Sequence, residues 1–216
     1  MFAEQKWNII KSLSEGKFSP LQLSQRSKTT IANISQQLRL LEAAKLVKKE
    51  KVPNRDKGKP RSLFSLSSEF AYLVSAMNHF ADRRLLRLEN YHKPILRILF
   101  LDNEKLHYYL LKFYWKIEGY LDKIDLMLVF PHIEDIRVFI VSDIAKEIEK
   151  NLGSVVIKKP GGKSKLIRVQ CFVRDLFVRL VKQGKKPIFS LNKLKVIYDP
   201  KGMFSMLEKE VIAKAQ

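Results

Sequence analysis

ISQQLRLLEAAKLVKKE, at residues 34–50, decides the fold of the N-terminal third of this chain, together with GKPRSLFSL at residues 58–66. Three apolar residues of the first stretch recur at the spacing of one helix face: Ile34, Leu38 and Leu41. This pattern predicts a helix over residues 31–44, with Thr30 as its N-cap.

A β-hairpin is expected directly after this helix. Residues 46–52 and 61–66 have the composition of strands. The segment 53–60 between them contains prolines, an asparagine and a glycine, which are typical of a turn.

Two further helices are predicted upstream. Apolar residues recur with helical spacing over residues 2–13, and Gly16 ends this helix. Ser19-Pro20 is an N-cap followed by proline at the first helical position, which predicts a short helix over residues 20–26. Two short helices joined by a tight turn, here residues 27–30, form a helix-turn-helix unit.

These stretches resemble the winged helix domain of the ArsR and MarR-like regulators of bacteria and archaea. The positions that match are Ser35, Leu38, Leu41, Ala44, Leu46 and Val47. Lys45 replaces the glycine that is usual in that turn. The resemblance implies a winged helix-turn-helix DNA-binding domain over residues 1–66, with the helix at 31–44 in the major groove and the segment 53–61 on the DNA backbone or in the minor groove. Residues 1–66 contain no cysteine or histidine, so we do not expect the metal sensing that occurs in the ArsR group.

The surface expected to contact DNA follows from the helix face that is buried. The opposite face carries the expected base contacts, which are Ala32, Asn33, Gln36, Gln37 and Arg39. Asn and Gln side chains can bond adenine bidentately, and Arg can bond guanine. Contacts to the DNA backbone are expected from residues near helix starts and on the hairpin: Lys17, Ser19, Lys28, Thr29, Thr30, Ser35, Arg55, Lys57, Lys59 and Arg61. The alternative is a solvated helix face with no DNA partner.

The charge of the chain favours a polyanionic partner. Forty-one Lys and Arg against 22 Asp and Glu give a net charge of +19. Lys-rich proteins from hot environments usually add Glu as well and stay near neutral. The excess is concentrated in two blocks, since residues 1–66 hold 14 basic and 5 acidic residues and residues 158–201 hold 13 and 2. The second block could contact DNA or an acidic protein.

The rest of the chain is expected to contain a helical region followed by an α/β domain, so that the whole is α+β. Helices are predicted at residues 67–90, 94–101 and 103–121, and this helical linker is the expected dimerisation region. Over residues 122–216 strands and helices alternate. Strands are expected at 124–130, 136–141, 155–158, 166–172 and 193–198, with helices ending at Gly153 and spanning 174–183 and 204–215.

IDLMLVFPHIEDIRVFIVSD at residues 124–143 and KKPIFSLNKLKVIYDPKG at residues 185–202 resemble a nucleotidyltransferase domain of the minimal archaeal type. In that family a Gly-Ser turn precedes two metal-binding aspartates. Here Pro131-His132 stands at the turn, and Asp135 could match the first aspartate while Arg137 occupies the second position. Two-metal catalysis needs clustered carboxylates, so we expect a domain without the active-site motif and no enzyme activity.

A phosphate-binding loop is not expected at Gly161-Gly162-Lys163-Ser164. Ile157 stands where such a loop needs its first glycine, so a hairpin turn in a basic segment is the better interpretation.

The remaining composition bounds the function. The single cysteine, Cys171, excludes an internal disulfide, and the four histidines have no ligand spacing, so no metal or cofactor is expected. Apolar runs are too short for a membrane span, and a reducing cytoplasm fits best. We expect a sequence-specific regulator that binds double-stranded DNA as a homodimer, with a protein of the transcription machinery as a further candidate partner. The alternatives are a nucleotidyltransferase-type enzyme with an accessory nucleic-acid module, or a winged-helix adaptor that binds only protein.

Overall fold

The computed structural model describes residues 4–53, 61–131, 136–183 and 194–214. The chain is α+β and divides into two compact units, Met1–Leu88 and Glu89–Gln216. Among the described residues, no helix is both long enough and apolar enough to cross a membrane.

The first unit contains three helices followed by two hairpins. Its elements are α1 (Glu4–Glu15), α2 (Pro20–Arg26), α3 (Ile31–Ala43), β1 (Val47–Val52), β2 (Arg61–Leu66), β3 (Phe70–Met77) and β4 (Phe80–Arg87). β1 pairs with β2 and β3 with β4, each antiparallel. The predicted helices near 2–13, 20–26 and 31–44 and the first hairpin are therefore confirmed.

Local caps explain why α2 and α3 begin where they do. The Ser19 hydroxyl accepts a hydrogen bond from the Gln22 amide, and the Gln22 side chain accepts one from the Ser19 amide. Thr30 caps α3 by accepting from the Asn33 amide at 3.2 Å. Both N-caps agree with the prediction from the sequence.

The core of the first unit joins all three helices to the first hairpin. Its buried side chains are Ile9, Ile10, Leu13, Leu23, Ile34, Leu38, Leu41, Leu46, Val47 and Phe64. Phe18 and Phe64 exchange backbone hydrogen bonds of 3.0 and 2.8 Å, which attach the α1–α2 connection to β2. The apolar face of α3 therefore packs against α1, α2 and the first hairpin.

The turn after α3 has the geometry of a glycine turn although Lys45 occupies it. Lys45 has a φ of 58°, in the left-handed region. The Leu46 amide donates to the Leu41 carbonyl at 3.0 Å, which closes the helix end. A lysine at this position is therefore compatible with the turn.

The helix predicted over residues 67–90 is wrong. β3 and β4 form an antiparallel hairpin there, with Met77 opposite Phe80 and Phe70 opposite Arg87. Aromatic and branched residues in FAYLVSAM favour a strand, and a two-residue loop at 78–79 reverses the chain. His79 has a φ of 62°, a conformation that His adopts more readily than most residues.

The second unit is a five-stranded mixed sheet with helices on both faces. Its elements are α4 (His92–Leu99), α5 (His107–Ile117), β5 (Ile124–Pro131), β6 (Ile136–Ser142), α6 (Ala145–Leu152), β7 (Ser154–Lys158), β8 (Ser164–Phe172), α7 (Arg174–Gln183), β9 (Lys195–Tyr198) and α8 (Met203–Lys214). Short 3-10 turns flank α5 at Glu104–Leu106 and Glu118–Lys123. The strand order is β7-β8-β6-β5-β9, and in the described part of the chain β6 and β8 pair in parallel while the other neighbours are antiparallel.

Two buried clusters lie on the two faces of this sheet. The first contains side chains of α4, α5 and α6, and the second contains side chains of α7 and α8. The alternating strands and helices predicted for the C-terminal region are confirmed. The helices predicted at 94–101 and 103–121 are present as α4 and as α5 with its 3-10 turns, and both pack into this core.

Candidate nucleic-acid interface

The outward face of α3 is the first part of the candidate interface. Ile34, Leu38 and Leu41 are at most 2% exposed, so the opposite face of α3 points to solvent. On that side Ala32, Gln36 and Arg39 are exposed, and Asn33, Ser35 and Gln37 are half-buried at its flanks. The face expected to read bases is therefore not packed into the protein's own interior.

Asn33 differs from the other expected base contacts. Its side-chain amide donates to the Gln5 side chain of α1 and to the Thr29 hydroxyl, each at 3.1 Å. The Gln37 amide donates to the Asn33 oxygen at 3.5 Å. Asn33 and Gln37 are thus engaged within the protein, whereas Gln36 and Arg39 are presented to solvent. No spacing in the sequence indicated the contact with Gln5.

The turn between α2 and α3 places several hydroxyl groups and one lysine close together. An open depression of about 480 Å³ is lined by Ser24, Gln25, Lys28, Thr29 and Thr30. It adjoins the N-terminal end of α3, where the helix dipole favours an anion. A hydroxyl that accepts one hydrogen bond can still donate its own proton, so Thr29 and Thr30 can serve Asn33 and a phosphate together.

Lys28 holds an unusual backbone conformation in this turn. Its φ is 49°, which a residue with a Cβ adopts at an energetic cost. Glycine would avoid that cost. The position instead carries an exposed lysine next to the start of α3. The conformation directs the chain from α2 into α3 and places Lys28 at the depression.

Two of the other expected backbone contacts have roles within the protein. Lys17 forms an ion pair of 2.5 Å with Glu50 of β1, and this hydrogen bond holds the pKa of the Glu50 carboxyl below its usual range. Ser19 accepts the capping bond of α2. Lys17 is therefore less suited to a phosphate than Lys28, while Ser19 keeps its proton to donate.

The first hairpin contributes cations that the sequence reasoning did not include. Lys48, Lys49 and Lys51 are exposed along β1, and the lysine-rich run KKEK was a visible signal for them. Arg61 is exposed at the start of β2, opposite Val52. The expected contacts Arg55, Lys57 and Lys59 lie outside the described residues.

The second unit has a basic turn instead of a phosphate-binding loop. Residues 159–163 connect β7 to β8, with Gly161 at a φ of 64° and Lys158 opposite Ser164. A strand follows this turn where a phosphate-binding loop needs a helix, so the expected hairpin is confirmed. The Tyr109 hydroxyl donates to the Lys163 carbonyl at 2.5 Å and attaches the turn to α5.

Arg137 occupies the position of the second metal-binding aspartate in the nucleotidyltransferase resemblance, and a second arginine lies next to it. Arg137 of β6 lies beside Arg168 of the parallel strand β8. His132 and Asp135 lie outside the described residues. Within the described ranges, no group of three or more His, Cys, Asp or Glu side chains could hold a metal ion.

No protein-family model matches the chain, and no curated protein matches it in sequence. The geometry of these surfaces is therefore the basis for a functional proposal.

Proposed function

We propose that this chain is a transcriptional regulator that binds specific sequences in double-stranded DNA. Residues 1–66 serve as a winged helix-turn-helix domain, in which α3 enters the major groove and the β1–β2 hairpin is the wing. The observation that carries the proposal is the exposure of Gln36 and Arg39 on α3, directly opposite its buried side chains. Gln and Arg are among the side chains that read adenine and guanine edges.

The surroundings of α3 support the same function. The depression at Lys28, Thr29 and Thr30 offers a cation, hydroxyl donors and a helix N-terminus to a phosphate. β1 adds exposed lysines on the hairpin. An α-helix fits the width of the major groove, so base contacts from α3 and backbone contacts from its neighbours are compatible in one complex.

For the second unit we propose a role in recruiting a protein partner rather than in catalysis. Its sequence resembles a nucleotidyltransferase domain at residues 124–143 and 185–202, but Arg137 and Arg168 are adjacent on the sheet. Two guanidinium groups disfavour the divalent ions that nucleotide transfer requires. Assays of magnesium-dependent nucleotide transfer should give no product above the background without protein. Incorporation that disappears in an Asp135→Asn variant would restore the enzyme hypothesis.

Equilibrium binding to duplex DNA over a range of salt concentrations tests the central proposal. We expect log affinity to fall linearly with log salt concentration, since each phosphate contact releases counterions. Replacing Gln36 and Arg39 by alanine should weaken binding to a selected sequence by about 1–3 kcal/mol for each lost base contact, and should barely change binding to random duplex.

The matched control is a Lys150→Ala/Gln170→Ala variant, which removes one exposed cation and one exposed amide from the second unit. It should bind as the unchanged protein does. An adaptor that binds only protein would show no salt-dependent affinity for any duplex, and that result would overturn the proposal.

A further inference from the structure

The β3–β4 hairpin exposes an unusual amount of apolar surface. Six of its large side chains are between 38 and 69% exposed: Tyr72, Leu73, Val74, Met77, Phe80 and Leu85. The strand register places Tyr72, Val74 and Leu85 on one face and Leu73, Met77 and Phe80 on the other. Both faces of the hairpin therefore expose large apolar side chains to solvent.

A ribbon of this kind is poorly stable by itself. A two-stranded hairpin in water is marginal unless a further strand or a packed layer supports it. Here the two strands pair over their full eight residues, and β3 and β4 form a sheet of their own among the described residues. A hairpin of this length is therefore expected to be stabilised by a further strand beyond the two that the described residues supply.

The two edges of the hairpin differ in charge. β4 carries Asp82, Arg83, Arg84 and Arg87, and charged side chains protect a strand edge from pairing. β3 carries none, and residues 70–81 form the longest run without Lys, Arg, Asp or Glu in a chain that is 29% charged. The edge of β3 is therefore the one suited to accept another strand.

We propose that β3 pairs antiparallel with β3 of a second copy of this chain, so that two hairpins form one four-stranded sheet across a two-fold axis. A chain with a net charge of +19 repels its own copies, and an uncharged edge is where two copies can approach closely. The basic groups of the hairpin belong to β4, so an acidic partner, which the overall charge would attract, is drawn to that strand rather than to the edge of β3. The uncharged edge of β3 is therefore complementary to the same edge of a second copy.

The available area is sufficient for a dissociable dimer. Pairing along the edge of β3 involves the exposed β3 side chains Tyr72, Leu73, Val74 and Met77. With on the order of 200 Å² for each large side chain, their exposed parts sum to at most roughly 430 Å² per copy. Standard interfaces bury about 800 Å² per partner, so the dimer lies at the weak end of specific association and should depend on concentration. A shared sheet also satisfies backbone groups along β3.

The pairing has a consequence for DNA that rests on the proposed function. A single α3 reads a short half-site, whereas two copies related by a two-fold axis read a palindromic site. The pairing itself does not depend on DNA, so it can be tested without it.

Sedimentation equilibrium of the 216-residue chain at low and high micromolar concentration is the test. The unchanged protein should be a concentration-dependent dimer. Val74→Lys places a charge in the middle of β3, at a side chain that is 69% exposed, and should weaken dimerisation by at least about tenfold. The control Leu85→Lys adds the same charge to β4, at a side chain 47% exposed, and should leave the dimer intact.

Hydrogen exchange of the backbone amides in residues 70–77 gives a second measurement that does not require a variant. Their protection should rise with protein concentration. A monomer at high concentration, a Val74→Lys dimer as tight as the unchanged one, or equal loss in both lysine variants would overturn the pairing. If the dimer forms as expected but no duplex is bound, the proposed function fails and the pairing stands.

Discussion

Replacing Lys28 by glycine should make the protein more stable and a weaker DNA binder at the same time. Lys28 has a φ of 49°, and a residue with a Cβ in that region costs about 1–2 kcal/mol. Glycine removes this cost but loses about 0.5–1 kcal/mol through the greater freedom of the unfolded chain. The two ranges leave a net gain of up to about 1.5 kcal/mol, or up to roughly 12 °C for a unit of this size.

The effect on DNA binding comes from the lost cation. If Lys28 neutralises one phosphate, the slope of log affinity against log salt concentration should become shallower by about 0.9. Sequence preference should not change, because phosphate contacts carry no base information. Calorimetry for stability and fluorescence anisotropy for binding measure the two effects separately.

Lys45→Gly is the matched control, since Lys45 is exposed and has a φ of 58° in the turn after α3. It should stabilise the fold by a similar amount and leave the salt dependence unchanged. A Lys28→Gly variant that melts at a lower temperature would refute the strain argument. A salt slope that is altered equally in both variants would refute the assignment of Lys28 to a phosphate.

Three other variants or conditions test separate parts of the structure. Asn33→Ala should lower the free energy of unfolding by about 1 kcal/mol, because the side chain bonds Gln5, and thermal melts would contradict this if stability were unchanged. Ser19→Ala should cost about 0.5–2 kcal/mol by removing the cap of α2, whereas Ser19→Asp should retain most of the stability; equal losses in both would argue against capping. Burial raises the pKa of the Cys171 thiol and of the Tyr114 hydroxyl to about 12, from ordinary values of 9.0 and 10.0. Their neutral forms are favoured by folding, so this contribution to stability is complete below pH 9 and is lost as the pH rises towards 12; urea unfolding at a series of alkaline pH values should show the decline, and a flat profile would contradict it.

The N-terminal helices could be predicted because their signals are local. Ser19-Pro20 and Thr30 cap helices through groups that lie within three residues of them. The spacing of Ile34, Leu38 and Leu41 then indicates which side of α3 is buried. Each of these features depends on residues that are close together in the chain, so it can be recognised from one sequence.

The β3–β4 hairpin could not be recognised in the same way. β3 has apolar residues on both of its faces, so the alternation that marks a half-buried strand is missing from FAYLVSAM. Its two-residue loop is Asn78-His79 and lacks the glycine that usually signals such a turn. Ser67-Ser68-Glu69 instead has the composition of a helix start, which led to the wrong prediction.

Part of the candidate site also depended on contacts across the fold. The engagement of Asn33 joins residues 28 positions apart in the chain, and the Lys17–Glu50 pair joins residues 33 apart. Neither contact has a sequence pattern. Residue type alone indicates which side chains could contact bases or phosphates. The fold shows which of these side chains face solvent and which are hydrogen-bonded or ion-paired within the protein.

Selection of bound sequences from randomised duplex DNA tests the central claim most directly. The unchanged protein should enrich a defined motif, and Arg39→Ala should lose the preference for guanine at one position while keeping the rest. Recovery of no motif, or of the same motif by both proteins, would contradict the assignment of α3 as the element that reads DNA.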